Sequence, residues 1–392
     1  MAKWATRQFK SKGEVDRAGR VLVENNVSKT ERAAALSAIN NWRAIHGYPL
    51  HLFTKTLKRR AHQVDGNAVI AQRLKRLHSI TVKLRLPRNK NMKLSQMQDI
   101  GGCRAIMPSM YQVRLMVEQY ERAIAKNPSH KKGKQLELGG IAPPVVKEEK
   151  VPTRTEFVER YDYIKEPKPD GYRSFHYVFR YRTTSDEKKD YDGLRIEIQI
   201  RSKLQHIWAT AVEAVGTFTE TAIKSGFGDI RWKRFFALMG TVIALREGCP
   251  PVPDTPTDER ALVHELRTLY DDLQVEMVLA GISATVELVG AEPTAQAYLL
   301  VLDADRKTLE IRSFKQNEME MASQEYLLVE EKYSDNPRVQ AVLVSVDSLA
   351  MLPSAYPSFH LDTREFLELV QSVVAIGKVM GDNEKNSREN VA

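Results

Sequence analysis

The 392-residue sequence contains very little cysteine: Cys103 and Cys249 are the only two. Two cysteines exclude a disulfide framework, and no cysteine–histidine group has the spacing of a zinc site. The sequence also lacks an apolar run of bilayer-spanning length, and its first residues do not have the pattern of a signal peptide. These absences predict a protein of the reduced cytoplasm that makes no use of a membrane.

Acidic residues are in the minority, with 50 Asp and Glu against 59 Lys and Arg, which leaves a net charge of +9. This balance favours an anionic partner such as a nucleotide, a nucleic acid or an acidic protein surface. The alternative is a basic surface that is simply solvated. Basic side chains are dense over 55–90, whereas the last part of the chain is more acidic, which predicts two halves with different tasks.

A proline-rich break divides the chain, whose length is sufficient for two domains. The run Cys249-Pro-Pro-Val-Pro-Asp-Thr-Pro is stiff and cannot continue a helix, so it predicts a linker over 249–256. We therefore expect an N-terminal domain over 1–248 and a smaller C-terminal domain over 257–392.

The spacing of apolar residues predicts helices and strands along both parts of the chain. The predicted helices cover 14–25, 30–46, 66–86, 110–125, 203–222, 230–246, 257–281, 323–333 and 363–379. The predicted strands cover 96–108, 173–182, 194–201, 297–302, 308–314 and 340–346. Residues 127–155, which are rich in Lys, Pro and Gly, are predicted to form a loop.

The run from Arg195 to Arg201 alternates strictly between polar and apolar residues, which predicts a strand with two chemically opposite faces. The core face carries Ile196, Ile198 and Ile200. The other face carries Arg195, Glu197, Gln199 and Arg201. A carboxylate among guanidinium groups suits a polyanion and supplies a metal ligand or a base. The alternative is an amphipathic strand with a solvated, salt-bridged polar face.

Two further clusters carry cations, and the second also contains an acid. Lys75, Ser79 and Lys83 lie four residues apart on the predicted helix 66–86, so their side chains share a face, and Arg73 lies on its edge. In the run from Gln98 to Arg104, an acid at a strand start, Asp99, is followed by two glycines and an arginine that could hold a cation and a phosphate. The alternatives are a basic surface helix and a bulged strand.

A third cluster extends from Asp162 to His176. Its prolines and its glycine predict a rigid loop, in which Tyr172 offers a ring for stacking on a base. Lys168, Arg173 and His176 offer cations or donors for phosphate. The alternative is a basic loop around a tyrosine of the core.

These clusters, in this order over about 66–220, resemble the RelA/SpoT nucleotidyltransferase (alarmone synthetase) family. The resemblance implies an α+β fold, in which a mixed β-sheet is flanked by helices and followed by a smaller C-terminal α+β regulatory domain. It also implies a pyrophosphokinase that transfers the β,γ-pyrophosphate of ATP to a 3′-hydroxyl with Mg²⁺.

By position, the implied ATP-binding residues are Arg73, Lys75, Ser79, Lys83 and Arg104. Asp99 and Glu197 are the implied metal ligands and catalytic acids, with Glu197 activating the hydroxyl. The implied acceptor-binding residues are Tyr172, Lys168, His176 and Gln199.

One position departs from the family pattern, which usually has a lysine just before Asp-Tyr-Ile. Tyr161 stands there in this chain, preceded by Arg160. Either Arg160 or the loop 127–155 could supply the missing charge.

The full chain further resembles the CapRel-type fused toxin–antitoxin proteins, through Asn40-Asn41-Trp42-Arg43, the proline-rich break and the run Ala355–Asp362. This likeness implies that pyrophosphate is placed on the 3′-terminal adenosine of tRNA, which inhibits translation in anti-phage defence. It also implies a C-terminal antitoxin domain that binds a phage capsid protein. Its Tyr356-Pro-Ser-Phe359 element would close the ATP site, although Phe359 lacks the hydroxyl that the related motif has. The alternative is that Tyr356 and Phe359 pack in a local core.

The acceptor stays open at this stage. The basic run with Lys55, Lys58, Arg59 and Arg60 could hold a tRNA acceptor stem through phosphate contacts, or it could be a solvated helix face. With GDP or GTP as acceptor, the same enzyme would make (p)ppGpp. A third possibility is a catalytically inactive, nucleotide-binding regulator.

Overall fold

The computed structural model describes residues 4–126, 155–224, 230–283, 287–289, 295, 297–303, 306, 308–315, 318–333, 336, 339–345 and 363–375. The chain divides into two compact units. The first unit consists of Met1–Tyr161, His176–Ile200 and Leu288–Ala355, and the second of Asp162–Phe175, Arg201–Glu287 and Tyr356–Ala392. These units are composed differently from the domains expected on either side of 249–256, and that division stays a prediction.

A sheet forms the centre of the first unit. The strands of the described residues are β1 Val69–Leu74, β2 Gly101–Met107, β3 Thr155–Asp162, β4 Phe175–Tyr181, β5 Arg195–Ser202, β6 Glu287–Val289, β7 Ala297–Asp303, β8 Thr308–Phe314 and β9 Val339–Ser345. Their order in the sheet is β3-β4-β5-β2-β1-β9-β7-β8-β6. Strands from both ends of the sequence therefore belong to one sheet, because β9 pairs with β1. The predicted hairpin of β7 and β8 is confirmed.

Helices flank this sheet, which confirms the predicted fold class. In the first unit they are α1 Lys12–Val23, α2 Lys29–Ile45, α3 Gly47–Val64, α4 Leu77–Arg85, α5 Met110–Ala125 and α10 Met319–Lys332. One face of β2 packs on α3: a Cβ added to Gly101 would lie 2.8 Å from Cδ1 of Ile196 and 3.7 Å from Cβ of Leu50. The isoleucines of β5 belong to the same core, with Ile196 fully buried.

The second unit is mainly helical. Its helices are α6 Lys203–Lys224, α7 Ile230–Arg246, α8 Glu259–Asp272, α9 Val275–Ser283 and a helix over 364–375, α11. Gly171 packs tightly here, since it has a φ of +96° and an added Cβ would lie 2.9 Å from the carbonyl oxygen of Phe236. Only glycine fits this combination of a left-handed backbone and close packing. The proline-rich run is also packed, with Val252 buried and its N–H bonded to Oγ1 of Thr241 at 3.0 Å.

Two predicted helices are wrong in their extent. Residues 66–86 are not one helix but β1, a short connection and α4. The helical spacing of Ile70, Leu74 and Leu77 arises from a strand followed by a helix, and pairing of β1 with β2 and β9 outweighs local periodicity. The predicted helix 257–281 is divided into α8 and α9 because Gln274 has a left-handed φ of +48°.

Candidate active site

Asp99 is held by two lysines of the first unit. Nζ of Lys75 donates to Oδ2 of Asp99 at 2.8 Å, and Nζ of Lys83 donates to Oδ1 at 2.9 Å. All three side chains remain partly accessible, at 19% for Lys75, 32% for Lys83 and 21% for Asp99. The site therefore has two ammonium groups that can reach a ligand and an acid that is already bound at both oxygens.

The register of β1 against β2 explains this arrangement. Leu74 lies opposite Gly101, and the Lys75 N–H continues the ladder by donating to the carbonyl of Ile100 at 2.8 Å. The residue after β1 thus lies beside the residues just before β2, where Asp99 stands. Lys83 reaches the same carboxylate from the last turn of α4.

The charges of this cluster shift one another. Burial alone would raise the pKa of Asp99, but the nearby Lys75 and Lys83 outweigh burial and lower it to about 2. Burial lowers the pKa of Lys75, and the neighbouring cations Lys83 and Arg73 lower it further. The negative charge of Asp99 raises this pKa but does not cancel the decrease. At neutral pH Asp99 is therefore ionised.

Glu197 is also bound at both oxygens, although its partners are of a different kind. Nδ1 of His176 lies 3.0 Å from Oε1 of Glu197, and Nε2 of Gln199 donates to Oε2 at 2.7 Å. His176 comes from β4 and Gln199 from the same face of β5, so two neighbouring strands fix the carboxylate. The predicted alternation of β5 is confirmed from Arg195 to Ile200, whereas Arg201 is buried and lies in the second unit.

Glu197 is ionised at neutral pH for a related reason. Burial would raise its pKa, but the hydrogen bond and charge of His176 and the hydrogen bond from Gln199 lower it overall. The Asp99 charge works in the opposite direction and raises the Glu197 pKa. The two carboxylates therefore interact electrostatically.

Arg73 and Arg104 lie on the face of the sheet that carries Glu197. Arg73 is opposite Gly102 and Arg104 is opposite Ala71, so the two arginines are diagonal neighbours across β1 and β2. The space above Gly102, between the two arginines, is open: the only atom within 4 Å of an added Cβ would be the Glu197 carbonyl oxygen, at 3.8 Å. Ser79 lies one turn before Lys83 on α4. The sequence-predicted ATP set is thus gathered on adjacent elements, β1, α4 and β2.

The donor set fits a hard cation. Among the residues that the structure describes, no three His, Cys, Asp or Glu side chains are grouped to hold a metal ion. Mg²⁺ does not need such a cage, because it commonly binds one or two carboxylates together with substrate phosphates and water. Asp99 and Glu197 are carboxylates of the kind that could bind such a cation, and a cation at Asp99 would share it with Lys75 and Lys83.

Two of the predicted acceptor-binding residues belong to the second unit. Nζ of Lys168 lies 5.0 Å from the ring centre of Tyr172 and 4.3 Å from that of Tyr163. The Tyr172 ring also meets Trp208 edge to face at 6.4 Å. Tyr172 is only half-buried, so part of its ring is accessible. His176 and Gln199, the other two residues, lie beside Glu197 in the first unit.

The predicted tRNA-binding run has two kinds of residue. Lys55 and Arg59 are exposed on α3 and Lys58 is half-buried. Arg60 is 4% exposed, and its guanidinium lies 4.5 Å from the ring centre of Tyr120. Arg60 therefore does not share a solvent-facing surface with Lys55 and Arg59.

The departure at Tyr161 has a structural context. The Tyr161 hydroxyl donates to Oε1 of Gln98 at 3.3 Å, next to Asp99 in the sequence. Arg160 forms an ion pair with buried Glu121, which also accepts from the Tyr177 hydroxyl at 2.9 Å. Arg160 thus has a structural partner in the core. The loop 127–154 and the predicted autoinhibitory residues Tyr356 and Phe359 lie outside the described residues.

A buried network supports the Lys75 backbone, and the sequence gives little sign of it. Nε of Arg43 donates to the Lys75 carbonyl at 2.9 Å, while its Nη atoms reach the Tyr326 hydroxyl and Glu330, each at 2.6 Å. Glu330 also accepts from the Leu77 N–H at 2.9 Å, at the first turn of α4. Arg43 is only 1% exposed. Helices α2 and α10 therefore fix the segment that joins β1 to α4.

Comparison with known proteins is consistent with this site. Residues 72–221 match the sequence profile of the region found in RelA / SpoT proteins. No curated protein matches the chain. None of the described helices combines the length and hydrophobicity needed to cross a bilayer.

Several solved structures are similar to the chain. Small alarmone synthetase 2 from Bacillus subtilis is 18% identical, with a TM-score of 0.37, over 53% of this chain and 93% of its own. A GTP pyrophosphokinase family protein from Streptococcus pneumoniae is 20% identical, with a TM-score of 0.35. This similarity covers 59% of the present chain and 92% of that protein. Small alarmone synthetase 1 from Bacillus subtilis, bound to its product pppGpp, is 19% identical, with a TM-score of 0.29. This similarity covers 59% of the present chain and 95% of that protein.

The matched region contains the end of β1 and the whole of α4, β2, β4 and β5, and it includes both acids. Residues 72–221 therefore form a RelA/SpoT-type region, and the protein is an enzyme of the pyrophosphokinase class.

Proposed function

We propose that the enzyme transfers the β,γ-pyrophosphate of ATP to the 3′-hydroxyl of the terminal adenosine of tRNA. The observation that supports the transfer most strongly is the pair of ionised acids with different partners. Asp99 is held by the cations Lys75 and Lys83, whereas Glu197 is held by His176 and Gln199. The cations around Asp99 favour the binding of phosphate groups and their metal ion. Glu197, whose hydrogen-bond partners are not permanent cations, is better able to accept a proton.

The triphosphate of ATP is proposed to lie over β1, β2 and α4. Lys75, Lys83, Arg73 and Arg104 would spread its charge, with Ser79 as a hydroxyl donor. Phosphoryl-type transfer depends mainly on positioning and electrostatic stabilisation, so a rigid set of cations is the principal requirement. The network of Arg43 and Glu330 supplies that rigidity at Lys75.

Asp99 and Glu197 would hold Mg²⁺. When bound, the ion neutralises developing charge on the phosphate oxygens. The remaining chemistry belongs to side chains of the protein. The 3′-oxygen attacks the β-phosphorus of ATP, the bond from that phosphorus to the α,β-bridging oxygen breaks, and AMP leaves. The proton of the 3′-hydroxyl passes to Glu197, whose lowered pKa keeps it ionised and ready to accept.

The acceptor is the finer part of the proposal. Tyr172 offers a partly accessible ring for the acceptor base, with Lys168 beside it for a phosphate. Lys55, Lys58 and Arg59 on α3 would contact the tRNA backbone. A second candidate acceptor is GDP or GTP, which would make the enzyme a (p)ppGpp synthetase. It is favoured by the matched RelA / SpoT region and by the similar synthetase whose structure holds pppGpp.

Regulation completes the proposal. Tyr356 and Phe359 would close the ATP site until a phage capsid protein binds the C-terminal part, so that the enzyme inhibits translation during infection. A tethered plug needs only weak contacts, because its effective concentration is high. Like the cytoplasmic location, this regulation is supported by the sequence alone.

One experiment distinguishes the acceptors. The full chain receives γ-labelled ATP together with deacylated tRNA and GDP, and the products are separated. Label on the tRNA 3′ end supports the proposal, whereas label only on the guanine nucleotide supports the second candidate. As a further arm, Lys55, Lys58 and Arg59 are changed together to Glu. This variant should lose labelling of tRNA and retain ATP binding, with Arg20→Glu, a change at an exposed position of α1, as the control.

A further inference from the structure

The N-terminus of α4 is capped by a side chain from a helix far along the chain. Helix α4 carries Ser79 and Lys83 of the candidate active site, but its N-cap residue, Arg76, forms no side-chain capping hydrogen bond. Oε1 of Glu330, on α10, accepts from the Leu77 N–H at 2.9 Å instead. The first N–H groups of a helix have no partner within the helix, and a carboxylate there also compensates the positive end of the helix dipole. Glu330 therefore has the role that a local capping residue usually has.

The same carboxylate also holds the other end of the connection between β1 and α4. Oε2 of Glu330 pairs with Nη1 of Arg43 at 2.6 Å, and Nε of Arg43 donates to the Lys75 carbonyl at 2.9 Å. The Tyr326 hydroxyl accepts from Nη2 of Arg43 at 2.6 Å and donates to Oε1 of Glu330 at 3.0 Å. The Arg43 and Glu330 side chains are only 1% and 9% exposed. Displacement of either partner would leave a charge unpaired away from water, so the pair favours a single geometry.

Strand β9 makes a further contact with this connection. Nη1 of Arg76 donates to Oε1 of Gln340, and β9 pairs with β1 where Arg73 lies opposite Val344. Three consecutive residues, 75–77, are thus each bound by a side chain from another element. Helix α10 and strand β9 both lie outside residues 72–221, which match the RelA / SpoT region. The connection inside the matched region is therefore positioned in part by residues that follow that region in the sequence.

We propose, on the basis of the ATP site proposed above, that Glu330 is a positioning residue for ATP binding. It would set the orientation of α4 against β1, and with it the spacing of the Lys75 and Lys83 ammonium groups that hold the triphosphate. Small displacements of such groups weaken binding and catalysis, so the outer contacts that fix them are part of the site. The C-terminal part of the chain then supports ATP binding through α10, which is opposite in sign to the inhibition proposed for Tyr356 and Phe359.

Equilibrium dialysis of the full chain against labelled ATP with Mg²⁺ tests the proposal, because it gives both the Kd and the number of sites per chain. A positioning role changes the Kd. A merely structural role lowers the number of sites, because unfolded chains bind no ATP and folded chains bind it normally. We expect Glu330→Gln to raise the Kd about tenfold. Tyr326→Phe, which removes one hydroxyl from the network, should raise it about threefold. Glu331→Gln, at an exposed position of α10, is the control and should bind ATP as the unmodified chain does.

An unchanged Kd in Glu330→Gln, with or without a loss of sites, would overturn the proposal. If that variant does not fold, an unchanged Kd in Tyr326→Phe overturns it instead. Lys75→Gln separates this proposal from the proposed ATP site. A raised Kd in Lys75→Gln beside an unchanged Kd in Glu330→Gln refutes only the positioning role, whereas an unchanged Kd in both variants refutes the ATP site as well.

Discussion

Lys75 and Asp99 are joined by a hydrogen bond of 2.8 Å between Nζ and Oδ2, at the end of β1 and just before the start of β2. The antiparallel register of these strands brings the two residues together, so the pair is a direct product of the fold. The same carboxylate accepts from Lys83 at 2.9 Å. Asp99 thereby preorganises two ammonium groups that would otherwise repel each other, which is the arrangement that a triphosphate requires.

Removing either ammonium group should weaken ATP use. We expect Lys75→Gln and Lys83→Gln each to raise the KM for ATP about tenfold or more, because each deletes one charge-assisted contact. The double variant should lose less than the product of the two effects, since both lysines share Asp99. Steady-state kinetics at saturating acceptor measures this. The exposed Lys90→Gln is the control, and a normal KM in both single variants would exclude the cluster from ATP binding.

The alkaline limb of the pH profile should report Lys75. Burial lowers the pKa of Lys75, so its ammonium loses the proton below the usual value of 10.5. We expect kcat/KM for ATP to fall as the pH rises through this lowered pKa. In Lys75→Arg the side chain keeps its charge at higher pH, so the decrease in kcat/KM for ATP should shift to higher pH. Glu197 has a lowered pKa and stays ionised down to acid pH, so it should cause no loss between about pH 6 and 8.

The buried pair of Arg43 and Glu330 should contribute to stability far more than a surface pair. Arg43→Met leaves a charge on Glu330 that is almost inaccessible, and we expect a loss of about 3–5 kcal/mol in the free energy of unfolding. The double variant Arg43→Met with Glu330→Gln should lose less free energy of unfolding than the sum of the losses in the two single variants. Denaturant unfolding measures both. Arg122→Ala, which breaks an exposed pair with Glu118, should cost about 1 kcal/mol or less.

Local pattern in the sequence predicts part of this site well. The alternation from Arg195 to Ile200 gives the strand and the face of Glu197 correctly, because a half-buried strand has a period of two. The same kind of reasoning fails over 66–86, where apolar spacing imitates a helix across a strand and a helix. It also places Arg60 on the surface, whereas packing against Tyr120 buries it.

The long-range contacts could not be predicted from pattern. Arg43 and Tyr326 are 283 positions apart, and nothing in either helix indicates the other. The pairing of β9 with β1 is of the same type, because any amphipathic strand could complete the sheet edge. Partner choice is decided by the whole core, which neither periodicity nor local propensity contains.

The proposed plug gives a prediction about the unstimulated enzyme. Tyr356→Ala should raise the basal transfer rate severalfold, because it removes the ring that is proposed to fill the ATP site. Tyr356→Phe should stay inhibited, since Phe359 already lacks a hydroxyl at the second position. Transfer from labelled ATP in the absence of any partner measures this. An unchanged rate in Tyr356→Ala would remove the plug from the account.

The most direct test of the central claim compares the unmodified chain with Glu197→Gln. Transfer of label from γ-labelled ATP to tRNA and GDP is measured beside ATP binding and thermal unfolding. We predict that Glu197→Gln loses transfer by about a hundredfold or more, since it can no longer accept a proton, while the fold and ATP binding persist. Full transfer by this variant would contradict the role of Glu197 and with it the proposed mechanism.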